Sequence, residues 1–394
     1  VKTFLFRIRR AIFFGSMGLG LIYIRTRQAR AQQPADSGRT VIEVAGDVLP
    51  ESSWKGEQDA PHLFDGVQEE FGRADLVFVN LEEPITSTHT VTRSKSPAAV
   101  RAGKDYILHA SNPAIPGIMK DAGIGLVGLA NNHMMDYTTA GLSDTLRFFQ
   151  RAQLPNVGAG LEEDAERAFI LKSHGLRIAF LAFTDVVPPG YEATPDRLGV
   201  ASSKDEDVLV QAIKRARQQA NFVVLMIHWG GQGGHLITSR QHQLARVAAE
   251  SGCDAVVGMH PHVLQGIEYV GEVPVFYSIG NFAFPSSRPA ARESVIVRLG
   301  FGSQKLESVE IVPVEISSQG APQIVSGAEG EEVLSHLDGF CRMFDTRIES
   351  GALGRGPVRA QLIYDSAPDH QGRGARRGGS RHKKSTGNQA AFVN

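Results

Sequence analysis

Six widely separated side chains have the types a divalent metal needs: Asp47, Glu82, Asn132, His228, His260 and His262. Carboxylate, amide oxygen and neutral imidazole all ligate without giving up a tightly held proton. Two carboxylates, one amide and three imidazoles are enough for two adjacent ions. Taken singly each is ordinary. Asp47 after a glycine reads as a turn residue, Glu82 beside Glu83 as a solvated pair, Asn132 as a helix cap, and His228 as a structural histidine. Together they argue for a site. His260 and His262 flank Pro261. Side chains at i and i+2 of an extended segment share a face. Proline biases the residue before it toward extended geometry, so both rings are expected to enter one pocket from an extended segment. Gly46, Gly230 and Gly258 allow close backbone approach. Two-metal hydrolysis also needs a group that protonates the leaving oxygen. His133, beside Asn132 and titratable near neutral pH, is the candidate.

The elements that must position these residues follow from apolar patterning. Strands are expected at 41–45, 76–79, 126–129, 177–183, 222–227 and 255–257, and helices at 63–71, 112–122, 139–151, 205–220 and 239–251. Each polar cluster sits just past the C-terminal end of an apolar strand, where open α/β sheets bind ligands. Further strands at 267–270, 275–278, 294–299 and 308–316 follow without helices and predict an antiparallel portion. Strand–helix alternation followed by strand pairs implies α/β layers with sheet on sheet. No repeat of fixed period is visible, and no pair of similar lobes suggests a periplasmic binding protein.

Length and composition set the outer bounds. A chain of 394 residues allows two or three domains, or one large α/β domain with appendages. Its 42% hydrophobic and 21% charged residues allow a packed core. A net charge of −1 gives no global case for nucleic acid, and none is expected as a partner. Cys253 and Cys341 are too few for a disulfide framework or a thiolate zinc site and read as buried or unpaired thiols. Arg7, Arg9 and Arg10 precede an apolar run at 11–24. That run is short for a membrane span and suits a signal peptide or a short anchor. Ala29-Arg30-Ala31 offers a cleavage pattern. The expected organisation is a leader or anchor at 1–31, a linker at 32–40, the main domain at 41–316, a C-terminal extension at 317–365 and a disordered basic tail at 366–394. The domain is expected outside the cytoplasm, exported or held at the membrane through its N-terminus.

The order Gly46-Asp47, Asn80-Leu81-Glu82, Ala130-Asn131-Asn132-His133 with Asp136, His228-Trp229-Gly230, Gly258-Met259-His260-Pro261-His262-Val263 and Tyr277-Ser278-Ile279-Gly280-Asn281-Phe282 resembles the bacterial CapA family. That family is linked to capsule and poly-γ-glutamate synthesis, and the resemblance spans roughly residues 41–284. The family in turn is similar to the calcineurin-like metallophosphatases. This implies a four-layer α–β–β–α sandwich with two divalent ions (Mn, Zn or Fe) at the strand ends. By that resemblance Asp47, Glu82, Asn132, His228, His260 and His262 match the metal-binding motifs, and His133 matches the catalytic histidine. Asn80 and Asp136 are expected behind them, bonding to the ligating and catalytic groups. The chain departs from the pattern at four places. The metallophosphatase motif usually opens Asp-x-His, but position 49 is Leu; Glu82 stands where the wider superfamily has aspartate. CapA relatives commonly carry glutamate after His-Trp-Gly, where this chain has Gln232, and glycine where it has Thr138. The implied activity is metal-dependent, phosphoesterase-like hydrolysis in cell-envelope polymer metabolism, with the polymer or its synthesis machinery as partner. The alternative is a non-catalytic assembly or anchoring factor that keeps the fold.

Overall fold

The computed structural model describes residues 38–53, 60–351 and 359–364. The expected leader at 1–31, residues 32–37 of the linker and the basic tail at 366–394 lie outside the described residues. Two twisted sheets form the body. The larger runs in the order Thr346–Gly351, Arg359–Tyr364, Leu306–Ile316, Glu293–Phe301, Thr40–Val48, Leu76–Leu81, Leu126–Gly128, Asn156–Val157. Its strands from Thr40–Val48 to Asn156–Val157 are parallel. From Thr40–Val48 outward in the other direction the pairing is antiparallel. The smaller sheet runs Ile267–Val270, Val273–Phe276, Ala255–Met259, Phe222–His228, Leu176–Thr184, Phe169–Ser173. Its four central strands are parallel and both edge strands antiparallel.

Apolar alternation decides which face each residue covers. Val44 and Phe78 of the large sheet meet Phe180, Val224 and Val257 of the small one in a core between the sheets. Val77, Val79 and Val127 point the other way, under Phe71, Met119, Leu142 and Phe149. Leu181, Phe183 and Leu225 cover the outer face of the small sheet beneath Leu209, Ile213, Leu244 and Ala248. The result is the four-layer α–β–β–α sandwich expected from the resemblance. Helix Glu206–Gln219 starts at the Asp205 cap, and helix Ser239–Ser251 at a capping box of Thr238 with Gln241.

The structure corrects or refines three readings of the sequence. Residues 63–71 are not one helix: a 3₁₀ turn at Ala60–His62 and successive i→i+3 turns lead into a short helix, Gln68–Phe71. Gly66 is a poor helix former there and packs against the Pro322 carbonyl, where a Cβ would approach to 2.6 Å. The expected antiparallel portion is present in Ile267–Val270 with Val273–Phe276 and Glu293–Phe301 with Leu306–Ile316, and Val273–Phe276 also runs parallel to Ala255–Met259 on its other side. Residues 317–365 contribute structure to the body: Pro322–Ile324 pairs with Leu306–Ile316, and helix Gly327–Cys341 sends Val333, Leu334, Leu337 and Cys341 into the core between the sheets. Both cysteines are buried and unpaired with each other. Among the described residues, no helix is long and apolar enough to cross a membrane.

Candidate metal centre

The two sheets bring their strand ends to one place. The large sheet delivers Asp47 inside Thr40–Val48, Asn80 inside Leu76–Leu81 with Glu82 just after it, and Asn132 in the turn beyond Leu126–Gly128. The small sheet delivers His228 at the end of Phe222–His228, and His260 and His262 just past Ala255–Met259. Close approach depends on two glycines. A Cβ on Gly46 would collide with the Gly280 carbonyl oxygen, and one on Gly258 with the Tyr277 carbonyl oxygen and the Trp229 indole nitrogen.

Every one of the six candidate ligands is buried, from fully enclosed Asp47 to Asn132 at 8% exposure. Asp47, Glu82 and His228 form a trio whose ligand atoms all lie within 4.8 Å of one another. His228 Nε2 lies 3.5 Å from Glu82 Oε1, 2.9 Å from Asn132 Oδ1 and 3.0 Å from His260 Nδ1. His262 lies 3.5 Å from Asp47 Oδ2 through Nδ1 and 4.0 Å from Glu82 Oε2 through Nε2. His260 meets Asp47 through its backbone N–H, which donates to Oδ2 at 3.1 Å, while its ring faces His228.

The His260-Pro261-His262 segment overturns the expectation of extended geometry. His260 has φ +95° and His262 φ +58°. These are conformations that L side chains adopt at a cost, and such cost concentrates at functional sites. The bend turns the His260 N–H onto Asp47. The His262 ring is fixed by Asn281, whose Nδ2 donates to the Ala291 carbonyl, leaving Oδ1 to accept from His262 Nδ1 at 2.8 Å. That places the His262 proton on Nδ1 and a lone pair on Nε2.

Burial sets the charge states. It pushes the Glu82 carboxyl well above the usual range, and the neighbouring Asp47 charge adds to this. Asp47 is raised by burial as well, against the lowering effect of His262. His228 and His260 are held well below the usual imidazole value, by burial first and by neighbouring rings second. His262 is lowered by burial. The rings are therefore neutral and able to ligate. Neither Glu82 oxygen receives an N–H or a hydroxyl of Ser, Thr or Tyr among the described residues, and its carboxyl neighbour is Asp47. A fully buried carboxylate lacking N–H donors, ringed by neutral imidazoles, matches what a divalent cation requires.

Behind this layer, Asn80 Nδ2 donates to Asp47 Oδ1 at 2.7 Å. Asn131 donates to Asn80 Oδ1 and to the Leu81 carbonyl, and accepts from the N–H groups of His133 and Met134. Asn131 thus shapes the turn, and Asn132 faces the centre. His133 Nδ1 lies 2.8 Å from Asp136 Oδ2, and burial lowers its pKa. Four residues here were not singled out by sequence reasoning: Lys95, Asn131, Tyr191 and Asn281. Asn131 and Asn281 stand within the motifs that carry the resemblance; Lys95 and Tyr191 have no local signal. Apart from Glu82 itself, two departures near the centre supply little. Leu49 is buried and bonds through its backbone N–H to the Ala283 carbonyl at 2.6 Å. Gln232 is exposed, with Nε2 3.5 Å from His262 Nε2. Beside the centre opens a cleft of about 710 Å³, lined by Lys95, Asn132, Asp185, Lys204, Gly230 and Arg240 among others.

Residues 41–286 match the family described as bacterial capsule synthesis protein PGA_cap. The chain is 32% identical to the PGA biosynthesis protein CapA of Bacillus subtilis (strain 168), over 66% of this chain and 66% of that protein. It is 30% identical to the capsule biosynthesis protein CapA of Bacillus anthracis, over 77% of this chain and 74% of that one. Among solved structures, a putative 5'-nucleotidase from Staphylococcus aureus overlaps with a TM-score of 0.44 at 15% identity, covering 76% of this chain and 58% of that one.

Proposed function

This chain belongs to the bacterial capsule synthesis protein PGA_cap family, and from that membership we propose that it is a metal-dependent hydrolase of phosphoester-type bonds in capsule or poly-γ-glutamate biosynthesis. The observation that carries the reading is Glu82: both carboxylate oxygens are buried without an N–H donor, beside Asp47, and face His228 and His262. Asp47, Glu82, Asn132, His228, His260 and His262 would hold two divalent ions. Bound there, such ions would supply Lewis acidity and lower the pKa of a water nucleophile. His262 would ligate through Nε2, because Asn281 engages Nδ1. Asp136 orients His133 by accepting from Nδ1–H, and the other ring nitrogen, with no hydrogen-bond partner among the described residues, would give the leaving oxygen its proton from the imidazolium form. The partner would be an envelope polymer or its synthesis machinery, met outside the cytoplasm, with the N-terminus as the link to the membrane.

The test is elemental analysis of the purified protein after reconstitution with Mn²⁺ or Zn²⁺, followed by hydrolysis of a model phosphoester. About two metals per chain are expected. His133→Ala should lower kcat by about 10²–10⁴-fold while keeping the metal. Protein that stays metal-free after reconstitution would sink the proposal.

A second reading, a non-catalytic assembly factor, is favoured by Leu49, which puts an apolar side chain where the metallophosphatase motif usually has histidine. Complementation discriminates the two. Full polymer production by His133→Ala and His260→Ala variants would establish a structural role; loss of polymer would favour the enzyme.

A further inference from the structure

Lys95 lies in an irregular stretch between strand Leu76–Leu81 and helix Ile115–Asp121, whose only helix is the short Pro97–Arg101. Its side chain is nevertheless 2% exposed. A buried ammonium must find an acceptor for each N–H. Lys95 Nζ lies 2.6 Å from Asp136 Oδ1, 2.9 Å from the Tyr106 carbonyl and 3.0 Å from His133 Nδ1. With Nδ1–H donating to Asp136, the His133 ring is a close contact of Lys95 rather than an acceptor, and the ammonium donates to Asp136 and the Tyr106 carbonyl. Whatever Lys95 does for the site, it does through its neighbours.

Those neighbours converge on Asp136, which is fully buried. Its Oδ1 receives Lys95 and the Tyr191 hydroxyl at 2.9 Å; its Oδ2 receives the Leu108 N–H at 2.8 Å and faces His133 Nδ1. The Thr92 N–H bonds the Asp136 carbonyl at 2.8 Å. The stretch carrying Thr92, Lys95 and Leu108 is thus tied to Asp136 at three points. Lys95 is the one among them that also reaches the His133 ring.

We propose that Lys95 is a positioning residue that fixes the orientation of the His133 ring by holding Asp136, the acceptor of its Nδ1–H. Its catalytic consequence rests on the hydrolase reading; its effect on the ring does not. Without Lys95, Asp136 has no cation beside it, and the acceptor that holds the His133 ring is free to shift. A ring displaced by about 1 Å costs on the order of 10²-fold in rate.

The test pairs kinetics with a variant structure. In the metal-loaded protein, Lys95→Met is expected to lower kcat about tenfold to a hundredfold, leaving KM and metal content unchanged. In a His133→Gln background the same change should cause no further loss, because Lys95 acts through His133. Losses that multiply, or a fall in metal content alongside kcat, would overturn the proposal. The structure of Lys95→Met should show the His133 ring moved off Asp136. A ring left in its wild-type place overturns the proposal whatever the activity. Should Lys95→Met fail to fold, Lys95→Arg keeps the charge, but its planar head cannot replace a tetrahedral ammonium. The same ring displacement and kcat loss are expected of it, and a wild-type ring overturns the proposal equally. If the wild-type protein hydrolyses nothing, the hydrolase reading fails, and the variant structure alone decides the role of Lys95.

Discussion

Glu82 shows how one side chain can report the state of the centre. Its folded pKa is raised well above the ordinary 4.5. A carboxyl raised on folding favours the fold fully below its unfolded pKa and loses that contribution as pH rises through the folded value. Glu43 and Glu83, both pushed up to about 8 by burial, act in the same direction. Chelated protein should therefore lose stability as pH rises from about 4.5 to about 8. Glu82→Gln removes one such carboxyl. At pH 8 the chelated variant is expected to be more stable than chelated wild type by ~1–3 kcal/mol, with the gap closing toward pH 4.5. With metal the order should reverse, because glutamine offers no anionic ligand. Melting curves at both pH values, with and without EDTA, measure all four cases; a gap independent of pH would show that Glu82 does not titrate there. The imidazoles carry the opposite sign. His228 and His260 lie well below the ordinary 6.5 in the fold, so they cost stability only as pH falls below 6.5. Protons should compete for these ligands later than at an exposed histidine site, and equilibrium dialysis should find metal retained somewhat below pH 6.5. Release on crossing 6.5 itself would contradict the burial of these rings.

At the scale of elements, the turn after Ala255–Met259 is the informative one. His260 at φ +95° serves two ends at once: its N–H reaches Asp47 and its ring reaches His228. Positive φ in a residue other than glycine costs of order 1–3 kcal/mol. His260→Gly and His260→Ala should lose metal equally, since both lack the ring. They should differ in stability, the glycine variant being about 1 kcal/mol the more stable, because alanine must still adopt the strained φ. Calorimetry of the two metal-free variants checks this. Equal stabilities would mean that the loop relaxes once the ring is gone. Thr138, where CapA relatives usually have glycine, likewise sits at φ +61° at the start of helix Thr138–Ala152.

For the whole molecule, the family match ends at residue 286, but the core does not. Strands Glu293–Phe301 and Leu306–Ile316 complete the large sheet, and helix Gly327–Cys341 closes the core between the sheets with Val333, Leu334 and Leu337. Each such side chain is worth about 1.5–3 kcal/mol of burial, against a typical total stability of ~5–15 kcal/mol. A chain ended after Ser326 is expected to fold poorly or not at all. Circular dichroism melting of the truncated protein decides it, and a melting temperature equal to that of the full chain would show that the helix is dispensable. The same architecture accounts for the centre. Asp47, Glu82 and Asn132 come from one sheet and His228, His260 and His262 from the other, so loosening the two sheets should disperse the ligands.

The sequence by itself determined most element types, the strand-end position of each polar cluster and α/β layers with sheet on sheet, which depend on apolar periodicity and are local; the four-layer plan was implied by the family resemblance. Even there, Gly66 broke an expected helix through contact with Pro322, and Val273–Phe276 took a parallel partner that no local pattern specifies. Tertiary structure alone decided the finer chemistry. Which nitrogen of His262 carries the proton depends on Asn281, which depends in turn on the Ala291 carbonyl. The raised Glu82 carboxyl requires both sheets to close over it. Lys95 and Tyr191 reach Asp136 from positions 41 and 55 residues away in the chain, out of irregular stretches with no pattern to mark them. Desolvation and long-range hydrogen bonds are properties of what packs around a group, and a sequence motif records only the group.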